Sequence, residues 1–291
     1  MAKTRRLLVA GLARNVEAVL HQEVFRLETT TRTYYDEVDF HIVESDSSDH
    51  TGKTLELVSS KIRGFSFERL GNLQREIPDR INRLRYCRNR YIDFYRASRK
   101  PYSEVLVVDF DIQNRRFKPS VLKRVLDEDL TWDVIFANQT GRYFDIYALR
   151  ERTWCPRDCM VEIDEMVKAG ISRTSAKEIA IWGRMRKISR NSKVIEVDSA
   201  FGGMAIYKSW IFDEFDYSIE STPITPIESE HVAFHYKAKN AGGRLFIHPR
   251  LTNFAWNPHN LASFKVLRKL DQISNSIHLK GFRRRLRGLL G

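Results

Sequence analysis

The segment 104–108 (EVLVV) constrains the fold of this 291-residue chain most. Its apolar residues follow one another without polar alternation, which is typical of a strand covered on both faces in a parallel sheet. A short apolar run at 6–11 (RLLVAG) and the segment 38–44 (VDFHIVE) predict further strands, and segments of helical spacing separate them. Strands and helices that alternate in this way predict an α/β fold built on a mostly parallel, doubly wound sheet.

The other segments extend this alternation. Helical spacing predicts a helix after Asn15, taken as its N-cap, a second helix from about Thr51, and others at 78–99 and 119–129. We expect a polar helical region near 175–190 and strands at 65–70, 132–137, 143–149 and 244–248. No internal repeat or low-complexity linker interrupts the chain. The simplest organisation is therefore one domain over 1–260 followed by a short extension over 261–291.

Much of the positive charge lies in that extension. The formal net charge is +12, and residues 261–291 contain eight Lys or Arg against one acid, Asp271. Apolar residues recur there at helical spacing, which predicts a basic amphipathic helix. Such a helix either lies on an anionic membrane surface or packs its apolar stripe on the main domain. A nucleic-acid-binding protein would carry more of the charge on its body, so we expect no nucleic-acid partner.

The amino-terminal segment and the cysteines indicate the compartment. The apolar run after residues 1–6 is four residues long, too short for a signal peptide or a membrane span. The three cysteines, Cys87, Cys155 and Cys159, are too few for a disulfide framework. We therefore expect a cytoplasmic protein that is peripheral on the inner face of the membrane through its basic extension.

Two carboxylates directly follow the most apolar strand. Asp109 and Asp111 flank Phe110 there, and ligands of open α/β sheets bind beyond the carboxyl ends of the strands. Carboxylates in this position suit a hard divalent cation, Mn²⁺ or Mg²⁺, that shares its coordination sphere with substrate phosphates. His248, in a later strand, is a candidate to complete the metal site. The alternative is that DFD only begins a solvated loop.

Two further groups have spacings that suggest ligand contacts. Arg85, Arg88 and Asn89 lie at i, i+3 and i+4 of a predicted helix and share a face, which either points at a diphosphate or is solvated. Gly202 and Gly203 lie between strand-like runs. They either let the backbone approach a ligand closely or only form a hairpin.

One more pair combines an acid with an imidazole. Glu230 and His231 are possible proton acceptors near neutral pH. The alternative is that they begin a solvated helix, where an acid is favourable beside the helix N-terminus. The sequence alone leaves both interpretations open.

These groups occur in a characteristic order. The motifs AGLARN, VESDSSD, RxxRNR, VVDFD, SAFGGMAIYK and ESEHVAFH lie in this order over about residues 5–250. Together they resemble the motifs of the fungal capsule-associated α-1,3-mannosyltransferase family and its bacterial relatives. The resemblance implies a GT-A-type glycosyltransferase, in which the diphosphate of a nucleotide-sugar donor meets a divalent cation at Asp109 and Asp111.

The same resemblance implies roles for individual residues. It matches Gly202 and Gly203 to a glycine-rich loop on the acceptor side. It matches Glu230 and His231 to the acidic motif that supplies the base or an acceptor contact. The usual pattern there is Glu-Asp, so the Glu-His of this chain leaves open which group is the base and whether the enzyme inverts or retains. The donor would border Ala10, Gly11, Arg14, Glu44, Ser45, Asp46 and Phe110.

The sequence thus predicts a metal-dependent hexosyltransferase that uses a donor of the GDP-mannose or UDP-galactose type. The predicted acceptor is a glycan or lipid-linked glycan in surface polysaccharide synthesis. The cation, assisted by Arg85 or Arg88, would neutralise the charge on the leaving diphosphate, and an inverting enzyme would use Glu230 or His231 as base. The alternatives are a sugar-phosphate nucleotidyltransferase with the same paired aspartates and, less favoured, a basic nucleic-acid-binding module.

Overall fold

A mixed sheet forms the centre of the structure, a computed structural model that describes residues 4–111, 114–218 and 229–254. The order of its strands across the sheet is β3-β2-β1-β4-β7-β5-β8-β6. In chain order the strands are β1 (Arg6–Ala13), β2 (Glu37–Glu44), β3 (Phe65–Arg69), β4 (Glu104–Asp109), β5 (Val134–Asn138), β6 (Ile195–Glu196), β7 (Met204–Lys208) and β8 (Leu245–Thr252).

Helices cover both faces of this sheet. They are α1 (Glu17–Thr31), α2 (Thr51–Ser59), α3 (Leu73–Glu76), α4 (Arg80–Ser98), α5 (Pro119–Leu126), α6 (Cys159–Lys168), α7 (Arg173–Ala180), α8 (Trp210–Glu214) and α9 (Glu230–Asn240). A short 3₁₀ helix, Trp182–Arg184, follows α7. The predicted α/β fold with a mostly parallel central sheet is confirmed.

The direction of the strands changes at the middle of the sheet. β1 pairs in parallel with β2 and β4, and β2 pairs in parallel with β3. β7 then lies antiparallel between β4 and β5, whereas β5 and β8 are parallel to each other. Because β7 runs the other way, its first residues lie beside the carboxyl end of β4. That edge of the sheet contains the candidate site.

The continuous apolar runs are explained by burial on both faces. In β1, Leu7 and Val9 pack in one hydrophobic core with residues of α1 and α5, whereas Leu8 and Ala10 pack in a second core with residues of α4 and α9. β4 divides its side chains between the same two cores. Each buried aliphatic side chain contributes about 1.5–3 kcal/mol relative to exposure, so neither face of these strands accepts polar residues without loss of stability.

The structure differs from the sequence prediction at two elements. Asn15 has a φ of 53° and does not cap α1, which begins at Glu17 after Val16. Its side chain instead accepts a hydrogen bond from Ser48. Segment 143–149 does not form the predicted strand, because only isolated bridges at Arg142 and Arg150 flank it. The long helix begins at Arg80, where Asp79 caps it by accepting a hydrogen bond from the Asn82 amide.

None of the helices within the described part of the chain is both long enough and apolar enough to span a membrane. The predicted basic extension over 261–291 lies outside the described residues, so its amphipathic helix and its membrane contact stay predictions. The predicted domain boundary at residue 260 lies there too.

Candidate functional site

The loops after β1 and β2 are joined by side chains that accept hydrogen bonds from backbone amides. The Asn15 amide donates to Ser47 Oγ over 3.1 Å, the Val16 amide to Thr51 Oγ1 over 2.9 Å, and the Glu17 amide to Asp49 Oδ2 over 3.1 Å. The first amides of a helix have no intrahelical acceptor, so these bonds satisfy α1 from the neighbouring loop. We call residues 14–16 and 45–50 the braced loops.

The carboxylates of Glu44 and Asp46 hold the braced loops together. Glu44 Oε1 accepts from the Ser47 amide at 3.1 Å, and Asp46 Oδ1 accepts from the Gln74 amide at 2.8 Å. Arg69 Nε lies 3.6 Å from Glu44, and Arg83 Nε lies 3.3 Å from Asp46. These two carboxylates border the predicted donor position, but each is already engaged by a backbone amide and an arginine.

The other predicted donor residues in the braced loops also contact protein. Arg14 is exposed, and its Nε donates to the Asp46 carbonyl over 3.2 Å. Ser45 Oγ lies 3.6 Å from Cys87 Sγ. Beside them is an open cleft of about 380 Å³, lined by residues that include Ser47, Ser48 and Asn72. The braced loops therefore form a preorganised wall of a cleft, with hydroxyl groups on its surface.

Ala10, Gly11 and Phe110 have a packing role that the resemblance did not indicate. Ala10 and Phe110 are fully buried. A Cβ atom added to Gly11 would lie 2.1 Å from the Val108 carbonyl oxygen and 2.7 Å from the Phe110 ring, so only glycine fits there. Phe110 fills the core beneath the site, so its ring is not free to stack on a nucleobase.

Acidic side chains gather at the end of β4. Asp109 retains 30% of its side-chain exposure, and Asp111 is exposed. Burial, together with the nearby carboxylates of Asp111, Glu230 and Asp145, raises the pKa of Asp109 to about 7 although Arg88 opposes the shift. The ionised form of Asp109 is therefore less favourable here than that of a solvated aspartate.

Arg88 connects the two ends of this cluster. Its Nε donates to Glu230 Oε1 over 2.8 Å, and its Nη2 lies 3.5 Å from Asp109 Oδ1. The side chain is buried, and its guanidinium carbon lies 5.3 Å from the Phe201 ring centroid and 5.7 Å from that of Tyr217. A buried arginine with two carboxylate partners and aromatic neighbours is held in one orientation. The solvated alternative for this arginine is therefore wrong.

Glu230 and His231 begin α9 inside the protein, not in solvent. Glu230 is buried and bound by Arg88. The His231 ring stacks on Phe201 with centroids 3.9 Å apart, and burial, reinforced by Arg88, lowers its pKa well below the usual value. A neutral imidazole with so low a pKa is a weak proton acceptor near pH 7. The structure thus argues against His231 as the base and gives Glu230 an arginine partner.

The remaining residues of the predicted helix face divide into two roles. Arg85 is buried, its Nη1 donates to Asn82 over 3.0 Å, and its Nε has no hydrogen-bond partner among the described residues. Asn89 Oδ1 instead accepts from the Tyr217 amide at 2.8 Å and fixes that segment. Arg85 can therefore still bind an anion, whereas the oxygen of Asn89 is already used within the protein.

The glycine pair forms the turn that enters β7, not a hairpin. The Gly203 carbonyl accepts from the Asp109 amide at 3.0 Å, so the turn lies directly beside the acidic cluster. Gly202 has a φ of 69°, and a Cβ there would lie 2.7 Å from the Ala137 carbonyl oxygen. Its amide donates to Asp145 Oδ2 over 3.0 Å. Sequence reasoning missed Asp145, because a single acid in an irregular segment has no local signal.

His248 lies apart from the aspartates. Its Nε2 is 3.1 Å from Glu128 Oε2, and its Nδ1 accepts from the Arg250 amide at 3.2 Å. Both ring nitrogens are occupied, so the prediction that His248 completes the metal site is wrong. Among residues 4–111, 114–218 and 229–254, no three His, Cys, Asp or Glu side chains group as a metal-ligand set. Asp109 and Asp111 offer carboxylate oxygens, which fit a cation that takes its other ligands from water and phosphate.

No protein-family model matches the sequence, and no curated protein matches it. Solved structures similar to the chain include the mannosyltransferase PcManGT from Pyrobaculum calidifontis in complex with GDP-Man and Mn²⁺. That similarity has 12% identity and a TM-score of 0.48, and it covers 87% of this chain and 57% of the other.

Two further similarities are of the same kind. Residues 1–349 of S. aureus TarS show 14% identity and a TM-score of 0.46, with 88% of this chain and 62% of that chain covered. The galactosyltransferase LgtC, in complex with donor and acceptor sugar analogues, shows 12% identity and a TM-score of 0.41, with 85% and 73% covered. The chain thus spans about three fifths of the first two structures. At these values the similarities assign no function.

Proposed function

We propose that this chain is a GT-A-type glycosyltransferase that transfers a hexose from a nucleoside-diphosphate donor with the help of a divalent cation. The observation that carries the proposal is the group of carboxylates at the end of β4, where buried Arg88 bridges Glu230 and Asp109, and Asp111 is exposed beside them. Burial and neighbouring carboxylates raise the pKa of Asp109 to about 7, although Arg88 lies beside it. A carboxylate with a raised pKa at the carboxyl edge of an α/β sheet is typical of a ligand site.

Asp109 and Asp111 would hold Mn²⁺ or Mg²⁺, which when bound would supply Lewis-acid stabilisation of the leaving diphosphate. Arg88 holds the Asp109 carboxylate from the protein side, with its Nη2 3.5 Å from Oδ1. Arg85 offers a buried Nε that lacks a hydrogen-bond partner in the described part of the chain. We assign Arg85 to a phosphate oxygen of the donor, because a guanidinium with an unused N–H is a strong phosphate ligand.

Glu230 acts in this proposal as a positioning residue. Its carboxylate is buried and receives the Arg88 Nε over 2.8 Å, so it fixes the guanidinium between itself and Asp109. His231 packs against Phe201 and closes the wall behind the arginine. This assignment replaces the predicted use of Glu230 or His231 as the base.

The nucleoside of the donor would lie in the cleft beside the braced loops, which has a volume of about 380 Å³. We propose that the donor is a nucleoside-diphosphate hexose of the GDP-mannose or UDP-galactose type. The turn at Gly202 and Gly203 lies on the other side of Asp109, where the acceptor would approach. We propose a glycan or lipid-linked glycan acceptor in surface polysaccharide synthesis, with the extension over 261–291 at the inner face of an anionic membrane.

A thermal-shift screen of nucleoside diphosphates with and without Mn²⁺ tests the proposal. A ligand at 100 times its Kd stabilises the folded state by about 2.7 kcal/mol, enough for a clear shift. We expect stabilisation by one nucleoside diphosphate that requires the cation, and release of that diphosphate from the matching nucleotide-sugar. Pyrophosphate release from a nucleoside triphosphate and a sugar phosphate would instead identify a nucleotidyltransferase. No nucleotide response at all would contradict both activities.

A further inference from the structure

A row of exposed basic residues follows the 3₁₀ helix. Between Glu178 and Glu196 the sequence contains five Lys or Arg and no acid. Arg184 pairs with Glu162, but Arg186, Lys187, Arg190 and Lys193 are exposed. We call these four residues the basic strip.

The basic strip lies next to the candidate acceptor side. Lys187 forms an antiparallel bridge with Arg142, and the Tyr143 amide donates to the Arg186 carbonyl over 2.9 Å. Tyr143 OH in turn accepts from the Phe201 amide at 3.2 Å, directly before the glycine turn. The strip is thus linked through one residue to the turn that contacts Asp109.

The charges of the strip are directed outward. The Arg186 guanidinium carbon lies 3.9 Å from the centroid of the Trp154 ring, which fixes its orientation. Lys187, Arg190 and Lys193 form no ion pair with any acid in the described ranges. Exposed cations without acidic partners in the described ranges produce a positive potential that attracts anions.

We propose that the basic strip binds negatively charged groups of the acceptor, and hence that the acceptor is a glycan with carboxylate or phosphate groups. This inference rests on the proposed function for the location of the acceptor. Three or more cations in a row recognise a charged chain better than a single anion, because each anionic repeat finds its own partner. The donor diphosphate is not the partner, since the strip lies on the Gly202 side of Asp109.

The surface of the strip favours a glycan over a membrane or a nucleic acid. Ile188, between the basic residues, and Met185, directly before them, are both buried, so neither side chain is available for insertion into a bilayer. The aromatic rings of Trp154, 7% exposed under Arg186, and of buried Tyr143 offer no open platform for stacking bases.

Binding of paired probes to the full chain tests the proposal. The first pair is an oligogalacturonate and its uncharged methyl ester, and the second is mannose 1-phosphate and mannose. The test variant is Lys187→Gln/Arg190→Gln/Lys193→Gln. The matched control, Lys61→Gln/Arg63→Gln/Arg124→Gln, removes three exposed basic residues near the amino ends of the strands.

We expect the wild type to prefer the charged member of at least one pair, and the pair with the larger preference names the anion. The test variant should lose that preference by about tenfold, and the control by less than about twofold. Equal loss in both variants, or tighter binding of anionic vesicles or RNA that the same substitutions abolish, would overturn the proposal. Release of diphosphate from the donor without acceptor should be unchanged in the test variant. If the wild type releases no diphosphate from the donor, that result counts against the proposed function instead.

Discussion

The acidic loop after β2 and the acidic turn after β4 lie at the same edge of the sheet, but their carboxylates have different partners. In the loop, two backbone amides and a threonine hydroxyl donate hydrogen bonds to the oxygens of Asp49. Burial acts to raise the pKa of this carboxyl, yet the hydrogen bonds from Thr51 and the Glu17 amide leave it lowered. In the turn, burial and neighbouring carboxylates raise the pKa of Asp109 to about 7.

This difference distinguishes a carboxylate that stabilises the fold from one that is available to a ligand. A carboxylate that accepts several protein hydrogen bonds stabilises the fold in its ionised form and has little capacity left for a ligand. A carboxylate that is crowded by other acids is destabilised in its ionised form, and a bound cation would relieve it. The comparison therefore predicts that substitutions in the two regions change different properties of the protein.

Arg88→Met should have the largest effect, because Arg88 belongs to both fold and site. Its loss leaves Glu230 buried without a cation, which should lower the free energy of unfolding by about 3–5 kcal/mol. Urea unfolding measures this change. The double variant Arg88→Met/Glu230→Gln should recover much of the stability but not the donor turnover. A double variant no more stable than the single one would show that the pair does not hold this part of the fold.

Asp111→Asn should affect activity alone. The substitution keeps the shape of an exposed side chain, so the free energy of unfolding should change by less than about 0.5 kcal/mol. Loss of a cation ligand should reduce donor turnover about a thousandfold, equivalent to about 4 kcal/mol. Initial rates over a Mn²⁺ titration measure the effect. The control is Asp129→Asn, an exposed aspartate outside the site. Turnover within tenfold of the wild type would remove Asp111 from the metal site.

The same comparison explains which features the sequence predicts. Strands β1 and β4 are predictable because burial on both faces produces continuous apolar runs. The insertion of β7 between β4 and β5 is not, since it depends on contacts between segments far apart in the chain. The glycine pair before β7 therefore suggested a hairpin, although the structure pairs that strand with β4.

The site is predictable to the extent that its residues follow strands. Asp109 and Asp111 directly follow the most apolar run, so their position at the sheet edge could be predicted. The partner of Arg88 could not, because Glu230 is 142 residues away. Asp145 was missed and His248 was misplaced for one reason: an isolated acid or imidazole in a sequence does not indicate which groups surround it.

The pH dependence of stability should show the burial of His235, which lies on the same helix as Glu230. His235 is buried between Ser199 Oγ and Tyr207 OH, each 2.8 Å away, and burial together with Arg88 lowers its pKa to about 3. Below pH 6.5 the unfolded chain binds a proton that the folded chain does not, so stability is complete above pH 6.5 and falls on acidification towards pH 3. The contribution of His235 is about 2 kcal/mol between pH 6.5 and 5.

Urea unfolding at pH 7 and pH 5 measures this contribution. His235→Gln should reduce the difference between the two pH values by about 2 kcal/mol, because glutamine binds no proton. An equal pH dependence in the wild type and in His235→Gln would mean that the histidine is not buried in its neutral form.

Asp49→Ala should have the smallest effect and should change stability more than chemistry. The Asp49 side chain accepts from the Thr51 amide at 2.9 Å and from the Glu17 amide at 3.1 Å, and so joins the starts of α1 and α2. Loss of such a cap costs about 1 kcal/mol, and Asp49→Asn should restore most of it. The KM for the donor should rise a few-fold because the braced loops become less ordered, whereas kcat should not change. If Asp49→Ala instead abolished turnover at unchanged stability, as expected of Asp111→Asn, the braced loops would belong to the reacting centre and the division between scaffold and site would be wrong.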